Sequence, residues 1–135
     1  MIEQRNVAQR GGLQPPPPGG EPSAPSRAAV APEFRVTVRP DGERVVVVPV
    51  GELDLMSAGT LENAVVGLLE RGVAHVVVDL RGLSFMDSTG IRALLTCHER
   101  AQRENALLAI VLGDRRTRRP LELCGVLGHL HVIDP

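Results

Sequence analysis

The sequence predicts an α/β protein in which a mixed β-sheet, parallel in its later part, is covered by α-helices in the order ββαβαβαβ. Three observations carry that prediction. Residues 34–39 alternate apolar and polar side chains at the period of a half-buried strand. Ala74-His75-Val76-Val77-Val78-Asp79-Leu80 is almost continuously apolar, as strands buried on both faces are. Between such runs lie segments with apolar residues at helical spacing, long enough to serve as crossovers.

Phe34-Arg35-Val36-Thr37-Val38-Arg39 is the first strand, Pro40-Asp41-Gly42 reads as a turn, and Arg44 to Val50, mostly β-branched, completes a hairpin. Ser57 is placed to cap a helix bearing Leu61, Val65, Leu68 and Leu69, which Arg71-Gly72 closes. The run 74–80 is then a central strand. After a turn around Arg81-Gly82 the chain passes Leu83-Ser84-Phe85-Met86 and enters a second helix near Ser88, with Ile91, Leu94, Leu95 and His98 on one face. Ala106 to Leu112 is another buried strand and Gly113 to Arg119 a polar connector. Leu121 to Cys124 is a short helix closed by Gly125, and His129 to Ile133 a last short strand.

The 135 residues suffice for one domain of ordinary size. Residues 1–32 hold seven of the 11 prolines, including Pro15 to Pro18, beside paired glycines at 11–12 and 19–20. Their scattered apolar side chains bury too little area to offset a backbone entropy cost of about 1–2 kcal/mol per residue fixed. A disordered extension is therefore expected over 1–32 and a folded domain over 33–135; a proline-rich ligand for a groove-type module is the alternative use of the extension.

Composition excludes several function classes. All 15 basic residues are arginine, so chemistry that requires a lysine amine is ruled out: a P-loop clamp, a Schiff base, the lysine of a phospho-receiver. Two phenylalanines, with no tryptophan or tyrosine, provide no stacking platform and no aromatic cage for a cofactor, and a net charge of −1 argues against a nucleic-acid partner. Cys97 and Cys124 lie in apolar segments and read as reduced, buried thiols. With no signal-peptide core near Met1 and no run of membrane-spanning length, the expected location is the cytoplasm, without a membrane partner.

The most informative stretch is Leu83-Ser84-Phe85-Met86-Asp87-Ser88-Thr89-Gly90-Ile91, where small polar residues gather at the start of a helix. A helix N-terminus leaves backbone N–H groups unpaired and carries partial positive charge, so it favours a capping side chain or a phosphate. Local facts alone favour a plain N-cap at Asp87 or Ser88. An aspartic-protease loop fits badly, since Asp87-Ser88-Thr89-Gly90 has one residue too many and no second copy. A nucleophile elbow lacks its first glycine, replaced by Met86. Glu52 and Asp54 fall on one face if the second strand continues through them, as paired carboxylates or as caps for the following helix. Arg115 to Arg119 can grip phosphate or an acidic partner, or form a solvated loop, and His129 with His131 makes at most two metal ligands.

Gly51-Glu52-Leu53-Asp54, the helix after Ser57-Ala58, Val76-Val77-Val78-Asp79-Leu80, the 83–91 stretch and Leu123-Cys124-Gly125-Val126 occur in an order and spacing that resembles the bacterial anti-sigma-factor antagonists, single-domain proteins of the STAS fold. The resemblance covers about residues 34 to 133. It implies a STAS-type sheet covered by helices and a regulatory protein rather than an enzyme, with no cofactor. It further implies that Ser88 is phosphorylated by an anti-sigma factor that is itself a serine kinase. The unphosphorylated protein would bind that factor and release a sigma factor, in a partner switch of stress-response type, and a phosphatase would reset it. Glu52, Asp54, Asp87, Thr89, Gly90 and Arg92 would then surround the docking site. A STAS scaffold module of a larger signalling or transporter assembly is the rival within the fold, and a small hydrolase using Asp87 and Ser88 the rival outside it.

Overall fold

The computed structural model of the chain describes residues 2–5 and 33–135. In chain order these form strands β1 (Ile2–Arg5), β2 (Arg35–Asp41) and β3 (Arg44–Leu53), helix α1 (Ala58–Glu70), and strands β4 (His75–Asp79) and β5 (Leu83–Met86). Helix α2 (Ser88–Arg103), strand β6 (Leu107–Val111), helix α3 (Arg115–Leu123) and strand β7 (His131–Ile133) complete the order. The sheet runs β1-β2-β3-β4-β6-β7, antiparallel through β3 and parallel beyond it. A mixed sheet with crossover helices is the expected class.

The hairpin reverses more tightly than expected. Pro40 and Asp41 still pair in β2, opposite Val45 and Arg44, so the loop is Gly42-Glu43, with Gly42 at φ +67°. Glycine takes that conformation without a Cβ penalty, and Arg44 Nε donates to Asp41 Oδ2 at 3.0 Å across the turn. Outside β2, β1 places Ile2 opposite Val38 and Arg5 opposite Arg35. The expectation that residues 1–32 stand apart from the fold is thus corrected for Ile2–Arg5. The outer edge of β2 offers a row of backbone N–H and C=O groups that a four-residue strand can satisfy, whatever the composition of its flanks. The rest of that expectation, over the Pro/Gly-rich stretch, lies outside the described residues.

Strand alternation divides the core. Val36, Val38, Val47, Val76, Val78, Leu108 and Ile110 form one cluster with Leu61, Val65 and Leu68 of α1 and Ile91, Leu94 and Cys97 of α2. Val46, Val77, Ala109 and Val111 carry a smaller cluster on the opposite face. Leu61 and Leu94 are fully buried, each contributing about 1.5–3 kcal/mol by removal from water. Arg100 of α2 reaches Glu70 of α1 at 3.1 Å and joins the two helices at the rim.

Four sequence expectations are corrected here. Strand β5 was missing from the expected order because four residues are too few to display a period. The connector Gly113 to Arg119 is helical from Arg115: Asp114 Oδ1 accepts from Arg116 N at 2.9 Å as an N-cap, and Thr117 and Leu121 supply the inward face. His129 belongs to a 3-10 turn over Leu127–His129, before β7, so it does not share a strand face with His131. Cys97 is buried as expected, but Cys124 stands exposed just past the end of α3.

Candidate functional site

The site lies where β3 and β5 deliver the chain to the starts of α1 and α2. Gly51 sits at φ +117°, and the β3–β5 register shifts between Gly51 and Glu52, so that Glu52 pairs with Phe85 and Leu53 with Met86. The positive φ favours glycine at Gly51, and an added Cβ would also press on Phe34 Cα at 3.2 Å. The strand stops at Leu53, which is fully buried, while Glu52 is exposed. Glu52 and Asp54 therefore do not share a strand face: Asp54 begins a turn.

That turn is held by Ser57. Its position precedes α1, but its side chain makes no cap bond to the helix, contrary to expectation. The hydroxyl instead donates to Glu52 O at 2.7 Å and accepts from Asp54 N at 2.9 Å, in a pocket that leaves the residue 1% exposed. Asp54 Oδ1 accepts from Met56 N at 3.0 Å, so its carboxylate is turned toward its own loop. The sequence shows a hydroxyl here but not its direction, and Ser57 went unrecognised as a site residue for that reason.

At the second helix, Asp87 rather than Ser88 is the N-cap. Its Oδ1 accepts from Thr89 N at 2.9 Å and Gly90 N at 3.1 Å, and Asp87 N donates to Leu53 O at 3.3 Å, fastening the helix start to the end of β3. Such a cap contributes about 1 kcal/mol. Gly90 is buried: an added Cβ would fall 2.8 Å from Met86 Cγ and 2.9 Å from both Leu53 Cγ and Leu53 O. Gly90 is thus packed beneath the exposed start of α2, against Met86 and Leu53.

With the cap taken by Asp87, Ser88 is left exposed as the first residue of α2, and no side-chain hydrogen bond ties it down among the described residues. Ser88, Thr89 and Arg92 line a hollow of about 220 Å³ with Leu55. Leu55, which lines it, is 75% exposed; Met56 in the same turn is 48% and Phe85 in β5 45% exposed. The structure therefore brings Ser88, Thr89 and Arg92 together, holds Asp87 and Gly90 below them, and places Glu52 and Asp54 on the adjoining loop. The apolar trio was missed in the sequence, where each residue passes for core. Its only signal is position, directly after β3 or within β5.

Chemically the arrangement offers a surface and a hydroxyl, not an activated nucleophile. Asp87 Oδ1 is committed to two backbone donors, and none of the four histidines lines the hollow. Among the described residues no group of three or more His, Cys, Asp or Glu is placed to hold a metal ion, and no helix is long and apolar enough to cross a membrane.

A model of the STAS domain family matches residues 33–134. Over 76 residues the chain is 30% identical to the anti-sigma-F factor antagonist RsfB of Mycobacterium tuberculosis, a match covering 56% of this chain and 62% of that protein, so it spans less than two thirds of that relative. In structure it is similar to an anti-sigma factor antagonist from Mycobacterium paratuberculosis, with 26% identity and a TM-score of 0.67 over 74% of this chain and 85% of the other. It is also similar to the phosphorylated form of SpoIIAA, a Bacillus cell-fate determinant, with 20% identity and a TM-score of 0.58 over 74% and 90%; that likeness concerns the fold alone.

Proposed function

Because the chain belongs to the STAS domain family, we propose that it is an anti-sigma-factor antagonist whose docking to its partner is controlled by phosphorylation of Ser88. The observation that carries this reading is the position of Ser88, an exposed hydroxyl at the head of α2 that shares a hollow with the exposed side chain of Leu55. Large apolar side chains exposed on a small protein are candidates for protein contact, and a group that changes charge beside them can open or close such a contact. The names of the M. tuberculosis and M. paratuberculosis relatives support an anti-sigma factor as the partner.

In the proposed cycle the unmodified chain docks on an anti-sigma factor that is also a serine kinase, and a sigma factor is released. The kinase then transfers the γ-phosphoryl group of ATP. The bond from that phosphorus to the bridging oxygen breaks toward ADP, the Ser88 Oγ–P bond forms, and the hydroxyl proton passes to a base of the kinase. The ester adds about −1.5 to −2 charges next to Asp87 and near Glu52 and Asp54, which a drying interface cannot accommodate. A phosphatase resets the chain with water, returning the Ser88 hydroxyl and inorganic phosphate. The chain itself is substrate and binder, not enzyme, and works in the cytoplasm.

The test is incubation with the cognate kinase and ATP, followed by mass mapping of the phosphopeptide. Ser88→Ala should still bind and remain bound with ATP present. Ser88→Asp should bind at least tenfold more weakly. Phosphate on Thr89, or a Ser88→Ala protein that is still modified and released, would refute the assignment.

A further inference from the structure

We propose that Arg92 receives the phosphate carried by Ser88, as an ion pair within α2, and that this withdraws its cation from the docking surface. The proposal rests on the reading of Ser88 as acceptor and adds a residue that discriminates the two forms. Three observations lead to it. First, two of the backbone donors that would ordinarily cradle an anion at the start of α2, Thr89 N and Gly90 N, are already taken by Asp87 Oδ1, and Ile91 N by Asp87 O. A phosphate on the next residue must find its counter-charge elsewhere or expel the cap.

Second, Arg92 lies one turn along and lines the same hollow as Ser88. Arg44, Arg81, Arg100, Arg116 and Arg118 each meet a carboxylate. Arg92, like Arg71, Arg103, Arg115 and Arg119, meets none among the described residues, and of these it is the one that lines the hollow with Ser88. Third, the order along the helix is favourable: an anion four residues N-terminal to a cation interacts better than the reverse, and guanidinium matches phosphate geometry with two parallel N–H···O bonds. The first turn of α2 contains no acidic residue, so the new charge would also gain from the helix dipole. Asp87 beside it, and Glu52 and Asp54 on the adjoining loop, oppose it. Arg92 is the group that offsets them.

The experiment uses the full chain with phosphoserine incorporated genetically at position 88, which needs no kinase, and follows the phosphorus NMR signal through a pH titration. The second ionisation of the phosphate, near pH 6 in an unpaired phosphoserine, should lie lower by about half a pH unit than in the Arg92→Gln protein, as an opposite charge favours the charged form. Arg92→Lys should retain part of that difference. The amide signals of Thr89 and Gly90 should stay close to those of the unmodified chain. Identical titration curves for the native and Arg92→Gln proteins would overturn the proposal. So would large shifts of those two amides, because the phosphate would then have displaced Asp87 from the cap. A kinase found to modify another residue would sink the reading of Ser88, while the titration would still decide the pair.

Discussion

Ser57 joins Glu52 and Asp54, two residues of the candidate site, through one hydroxyl. Ser57→Ala would leave Glu52 O and Asp54 N without that partner in a buried place, at a cost of about 1–3 kcal/mol read by chemical denaturation. Gly90 sets two effects against each other. Helix propensity alone would reward Gly90→Ala by about 1 kcal/mol, but contacts of 2.8–2.9 Å to Met86 and Leu53 make overpacking dominant, a net loss of about 1–3 kcal/mol. A Gly90→Ala protein that melts higher would show that α2 can lift away without penalty. The two thiols also part company. Burial, with Glu62 as a lesser cause, pushes Cys97 up to about 12, so below that pH it stays a neutral thiol. A thiol reagent should titrate only Cys124 in the native protein, and Cys97 only after unfolding. At this scale the sequence was informative about which residues are polar and clustered, and silent about which way each hydroxyl or carboxylate turns.

Elements with several inward residues were legible and those with few were not. Helix α2 declares itself through Ile91, Leu94, Leu95 and His98, and β4 through its unbroken valines. Helix α3 hides behind four arginines because Thr117 and Leu121 alone face inward, and β5 is four residues long. A smaller element is controlled by one carboxylate: Asp79, at the end of β4, accepts from Arg81 N at 3.0 Å to cap the 3-10 turn Leu80–Gly82, and from Arg81 Nη2 at 2.8 Å. The hydrogen-bonded guanidinium holds the Asp79 carboxyl below its ordinary range despite opposing burial. A depressed native pKa contributes stability that is present above the unfolded value, near 3.9, and lost as pH falls through the native one. Asp79→Asn should therefore cost about 1–2 kcal/mol at neutral pH and flatten the decline of stability below about pH 4. An acid limb unchanged by the substitution would show that the pair contributes nothing to the turn.

For the whole molecule, the layered α/β class was readable from residues 33–135, because alternation and crossover length agree, and the 83–91 stretch pointed to the junction of β5 and α2 as the candidate site. The edge strand was not, since its pairing is with β2 and nothing local marks Ile2–Arg5 as a strand. Deleting residues 1–5 should lower the denaturation midpoint by an amount equivalent to about 1–2 kcal/mol for four lost pairs, and should raise the tendency of the exposed β2 edge to associate. An unchanged midpoint would mean that β1 adds no net stability. The packing under Gly90 reaches further. A Cβ added at Gly90 would collide with Leu53 and Met86, so the first turn of α2 is packed closely on the sheet, while Ser88 beside it is exposed and would carry an added group outward. If Ser88 is phosphorylated as proposed, the two forms would share one backbone and differ by one ester. A switch of that proposed kind would be a one-bit register written in covalent chemistry, its memory lasting as long as the catalysts that write and erase it allow.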